Sequence, residues 1–164
     1  MAIDAVVLNN DHPDYQHYVD TDPKLAEFVG EADVKMDVHD IPFDENTFDV
    51  VICNHVLEHV EDSHKVMCEF YRVMKPGGWG IFQVPIDSNN PNTEEDKSVT
   101  DPKERERLYW QDDHLRLFGL DYGKKLTTAG FKVTESDFIN ELDLKLVERY
   151  ALPKREILYF CEKE

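Results

Sequence analysis

Two short stretches, FDVVIC at Phe48 to Cys53 and WGIFQV at Trp79 to Val84, are nearly continuous apolar runs. A strand with one wet face alternates polar and apolar residues. A run without that alternation marks a strand buried on both faces, which is the situation of a parallel sheet with helices on either side. Between the two runs lies the clearest helix of the chain, predicted over Glu61 to Met74. There Val66, Phe70, Val73 and Met74 recur at three- and four-residue spacing among charged residues. Lys75-Pro76-Gly77-Gly78 ends it abruptly: a basic side chain at the helix C-terminus, a proline that cannot continue the helix, then two permissive glycines.

The rest of the chain repeats the alternation. Ala5 to Leu8 and Gln16 to Asp20 read as short strands, Lys24 to Val29 as a helix stopped by Gly30, and Asp33 to Asp37 as a further strand. The polar, Pro/Asn-rich stretch from Asp87 to Lys103 reads as a mobile excursion, and Glu104 to Leu108 as briefly helical. Leu120 to Ala129 forms a second good helix with Gly130 as its stop. Phe131 to Ser136 and Ile157 to Cys161 are closing strands, separated by a poorly patterned acidic stretch. The fold class expected is α/β, a Rossmann-like three-layer sandwich with a mostly parallel sheet and a late antiparallel strand. Its 164 residues make a single domain, 1–164.

The formal net charge of −17, from 35 acidic and 18 basic side chains, sets the surface against phosphate backbones and anionic lipids. Neither nucleic acid nor membrane is expected as a partner. Cys53, Cys68 and Cys161 are odd in number, widely spaced and embedded in apolar runs, so they read as reduced thiols used as small hydrophobes. With no basic leader at the N-terminus and no apolar segment of spanning length, a cytoplasmic location is expected.

The segments DVHDIPFDENTFDVVICNHVLEHVED, FYRVMKPGGWGIFQVP and LTTAGFKV, in that order, resemble the class I S-adenosylmethionine-dependent methyltransferases of small-molecule type. The resemblance covers about residues 33 to 136. It implies S-adenosylmethionine as cofactor, methyl transfer to a small-molecule acceptor, and a ligand at the carboxyl ends of the strands. By position, Asp40 would lie near the adenine amino group and Ile41 would pack on the ring. Asp20 or Asp22 would accept the ribose hydroxyls, and Asn54 and His55 would flank the methionine end. The stretch 87–119 falls where related enzymes build an acceptor-side insertion or lid. Within it His114 is the candidate general base, and Arg116 the candidate holder of an anionic group.

One part of the family pattern is missing. Its glycine-rich loop between the first strand and first helix has no counterpart, since the first glycine is Gly30. The reading is therefore of an N-terminally truncated domain, with a homodimer as one way to supply the missing wall. A truncated binding or assembly module without catalysis is the rival reading. A more remote rival takes His55-Val-Leu-Glu58-His59 as the H-x-x-E-H of a zinc hydrolase, which would need both histidines on one helix face. The six-residue strand run that ends two residues before His55 argues for a turn there, so no metal is expected.

Overall fold

The computed structural model describes residues 36–153 and 156–164. The expectations for Ala5–Leu8, Gln16–Asp20 and Lys24–Val29, and for Asp20 and Asp22 as ligands, lie outside these residues. The first described element is β1 (Phe48–Asn54), followed by α1 (Ser63–Val73) and β2 (Met74–Gln83). These match the two apolar runs and the helix between them. Asp62 caps α1 by accepting a hydrogen bond from the Lys65 amide at 2.9 Å. The buried stripe of α1 is Val66, Met67, Phe70 and Val73. Phe70 stacks on Phe82 of β2 at 5.2 Å. Burying each such side chain is worth about 1.5–3 kcal/mol.

β1 and β2 are parallel, with Val50 to Asn54 paired in register to Trp79 to Gln83. The register breaks between Phe48 and Val50, because Phe48 pairs with Met74 and Val50 with Trp79. Lys75 to Gly78 is accommodated in that break. A side chain on Gly78 would lie 2.8 Å from the Lys75 carbonyl and 2.9 Å from that of Asp49, so only glycine lets the loop close on β1.

The polar stretch after β2 is tied down rather than loose, which corrects the expected mobile excursion. Its β3 (Glu94–Glu95) pairs antiparallel with β4 (Arg116–Leu117), and the Asp87 amide donates to the Phe118 carbonyl at 2.8 Å. Between them α2 (Pro102–Tyr109) starts on an Asp101 cap. Next come α3 (Tyr122–Thr128) and β5 (Lys132–Ser136). The poorly patterned stretch holds a 3₁₀ turn (Phe138–Glu141) and a short α4 (Leu144–Arg149). The chain closes with β6 (Leu158–Glu162).

The four-stranded sheet has the order β1-β2-β6-β5. β6 is antiparallel to both β2 and β5, so β1, β2 and β5 share one direction. This is the mostly parallel sheet with a late antiparallel strand. Helices α1 and α3 send Phe70, Tyr122 and Leu126 into one core with Phe82 and Phe131. All three cysteines carry free thiols, and burial pushes those of Cys53 and Cys161 upward, so they stay protonated.

Candidate functional site at the carboxyl ends of β1 and β2

In an open parallel sheet the strand ends on the carboxyl side leave backbone groups and loops facing a crevice. Here β1 ends at Asn54, and His55 turns the chain with a φ of 57° while its amide donates to the Gln83 carbonyl at 2.8 Å. Left-handed backbone at a histidine is uncommon, and it swings the ring out of the sheet, where its side chain is 62% exposed. Asn54 and His55 line an open groove of about 430 Å³ with Gln83, Ile139, Leu142 and Leu152. The Gln83 side chain is itself fixed, accepting from the Tyr159 amide at 2.9 Å and donating to the Ile157 carbonyl at 3.0 Å. Among the described residues that line this groove, none comes from 87–119.

Residues 55–60 form a bend and a turn, with the helix starting only at Ser63. The helical geometry an H-x-x-E-H zinc hydrolase needs is therefore absent. The turn folds Glu58 into the interior instead, where it is 1% exposed. His55 Nδ1 lies 3.5 Å from Glu58 Oε1, and His59 Nε2 lies 4.0 Å from the same atom. Among the described residues, none donates a hydrogen bond to either carboxylate oxygen from elsewhere in the chain. Burial, with help from the charge of Asp113, pushes the Glu58 carboxyl up to about 7; its own amide and Arg116 offset only part of this.

The far wall of this turn is 109–116. His114 is 1% exposed, and its Nδ1 donates to the Tyr109 carbonyl at 2.7 Å. That bond fixes the tautomer, leaving the lone pair on Nε2, which has no hydrogen-bond partner among the described residues. Burial holds the ring below the usual imidazole range. Arg116, also 1% exposed, is committed to the backbone of the turn. It donates to the carbonyls of Leu57, Val60 and Glu61 and to Glu95 Oε1, the last at 3.0 Å.

On the other side of α1, Asp40 is exposed in the 37–40 turn. Ile41 is 3% exposed and belongs to the core, which leaves almost none of its side chain to stack on a ligand ring. Its amide donates to Glu69 Oε2 at 2.9 Å, and its carbonyl accepts from Arg72 at 2.8 Å.

Residues 6–82 match the family described as Methyltransferase domain. A ubiquinone/menaquinone biosynthesis C-methyltransferase UbiE of Desulfotalea psychrophila is 45% identical over 42 residues, 26% of this chain and 17% of that protein. The sterol 24-C-methyltransferase ERG6 of Saccharomyces cerevisiae is 30% identical over 122 residues, 73% of this chain and 30% of that protein. Among solved structures, the geranyl diphosphate C-methyltransferase of Streptomyces coelicolor A3(2) superposes with a TM-score of 0.51 at 14% identity. It covers 80% of this chain and 52% of that one. Over residues 6–82 the chain matches a methyltransferase domain, and its fold is the one such enzymes share.

Within the methyltransferase domain the matched region runs through β1 and α1 into β2, and so includes Asp40, Asn54, His55 and the turn at Glu58. The match therefore spans much less than two thirds of the curated relatives' own lengths. The sequence pointed to Asn54 with His55 at the cofactor's methionine end and to His114 with Arg116 on the acceptor side. The fold divides them, putting Asn54 and His55 on the open groove and His114 and Arg116 in a buried cluster with Glu58. Glu58 as the centre of that cluster was missed. Its sequence signal is a pair of acid–histidine doublets, Glu58-His59 and Asp113-His114.

Proposed function

We propose that the chain transfers a methyl group from S-adenosylmethionine to a small-molecule acceptor held in the groove at the ends of β1 and β2. The observation that carries this reading is the match of residues 6–82 to the methyltransferase family. The Streptomyces enzyme, solved with S-adenosyl-L-homocysteine and geranyl diphosphate, supports both the cofactor and a small acceptor.

The described residues fit that cofactor. Asp40 offers an exposed carboxylate, while Asn54 and His55 offer polar groups at the end of β1 beside an apolar wall. When bound, the cofactor supplies an electrophilic methyl group on a sulfonium. Asp40 would accept from the adenine amino group, and Asn54 would hold the amino-acid end with His55 beside it. Ile81, Ile139, Leu142 and Leu152 keep water from the line of transfer. His55, with Nδ1 facing Glu58 at 3.5 Å, presents Nε2 to the groove and takes the proton released by a hydroxyl or amine acceptor. His114, given that task from the sequence, is sealed at 1% exposure and is the poorer candidate.

Isothermal calorimetry with S-adenosylhomocysteine tests the reading. Micromolar binding, weakened about tenfold by Asp40→Ala or Asn54→Ala, is expected; a lost charge-assisted hydrogen bond is worth about 1.5 kcal/mol or more. No heat from a folded chain would leave methyl transfer as ancestry alone and favour a binding module.

A further inference from the structure

Buried polar groups are nearly always satisfied, and a cluster of unsatisfied ones needs an occupant. Glu58 and His114 are each 1% exposed, and among the described residues both Glu58 oxygens and His114 Nε2 lack hydrogen-bond partners. Beside them stands His59, its ring edge-on to that of His114 at 4.8 Å between centroids. One donor atom from each of Glu58, His59 and His114 lies within 4.8 Å of the others. We propose that Glu58, His59 and His114 form a site for one divalent transition-metal ion of the zinc class.

The donor set is two imidazoles and one carboxylate, chemistry that suits a borderline-soft cation. Tetrahedral bonds of about 2.1 Å require donors roughly 3.4 Å apart, so a small inward closure of the three side chains completes the site. The supporting shell is already in place. Tyr109 holds Nδ1–H of His114, which aims Nε2 inward. Asp113 Oδ2 is 3.0 Å from His59 Nδ1, the carboxylate–histidine arrangement that orients a ligand and raises its basicity. The Leu115 amide donates to the Glu58 carbonyl at 2.9 Å, and Arg116 clamps the turn, so the two doublets are fixed relative to each other. An ion enters from the side of His59 and Asp113, whose side chains are 17% and 21% exposed. Three protein ligands leave a fourth position open to water or a ligand.

A helical H-x-x-E-H would have drawn its second histidine from position 55. The fold substitutes His114, from the far side of β2. The ion also explains why a buried carboxyl is tolerated beside one buried and one half-buried ring, since a divalent charge favours the ionised acid and the neutral imidazoles.

The test uses tag-free protein, stripped with chelator and titrated with Co²⁺ and Zn²⁺, with circular dichroism confirming that the apo chain is folded. Uptake of one equivalent, with visible absorption of low-symmetry Co²⁺ that Zn²⁺ abolishes, is expected. Asp113→Asn should weaken binding about 10- to 100-fold, and Glu58→Gln or His114→Gln should remove it. If a ligand variant fails to fold, the titration of the unaltered chain and of Asp113→Asn decides. Absence of saturable one-equivalent uptake by the folded apo chain, or unchanged affinity in Glu58→Gln, overturns the site. Neither outcome depends on S-adenosylmethionine.

Discussion

Two turns in this protein are each clamped by one arginine, and they differ in what the clamp leaves over. Arg72 reaches from α1 to the carbonyls of Phe43 and Ile41 and pairs with Glu69, which in turn accepts from the Ile41 amide. Every charge there has a partner. Arg116 does the same for 57–61, but the turn it secures carries Glu58 inward with neither carboxylate oxygen hydrogen-bonded among the described residues. The first turn is closed as architecture. The second spends an equally elaborate scaffold on holding a carboxylate and one imidazole nitrogen, His114 Nε2, without hydrogen bonds among the described residues, an arrangement that costs stability unless something binds.

The largest expected effect breaks the second clamp. Arg116→Met would strand the carbonyls of Leu57 and Val60 in the interior, costing about 3–5 kcal/mol in urea denaturation. An effect below about 1 kcal/mol would mean the turn is not held from 116.

Next in size is a pH effect in metal-free protein. Glu58 has an ordinary carboxyl value of 4.5 and a folded value raised to about 7. A raised acid favours folding while protonated, so its contribution is complete below pH 4.5 and disappears as the pH rises through 7. The two values bound that loss at about 3 kcal/mol. His114 acts in the opposite sense, since its lowered value makes the fold lose stability as pH falls below about 6.5. Denaturation of the unaltered chain and of Glu58→Gln at pH 5 and pH 7.5 separates them. The glutamine variant should lose the fall toward pH 7.5 and retain the His114 trend. Saturating Zn²⁺ should reverse the unaltered chain's slope, because the metal needs the ionised acid.

The smallest effect sharpens the contrast from the other side. Arg72, with a side chain 35% exposed, can be replaced by water at its carbonyls. Arg72→Met should cost about 1–2 kcal/mol with no change in metal uptake or its pH dependence. A metal phenotype at Arg72 would erase the distinction between the two turns.

The order of elements was legible because its signals are local. Two-face apolar runs, a 3.6-period stripe and Lys75-Pro76-Gly77-Gly78 each act within a few residues, and β1, α1 and β2 lie close to where they were expected. The polar stretch after Asp87 was misread as loose because its order comes from pairing Glu94–Glu95 with Arg116–Leu117, a contact no local pattern announces. The burial of Ile41 was likewise not legible, since its place in the core is set by packing with residues distant in sequence.

By itself, then, the sequence determined an α/β sheet with a turn after β1, since alternation and turn chemistry are written into neighbouring residues. Only the tertiary structure decided which polar groups meet. The turn at His55 and the clamp from Arg116 bring two separate acid–histidine doublets into one buried cluster, and burial there sets their chemistry.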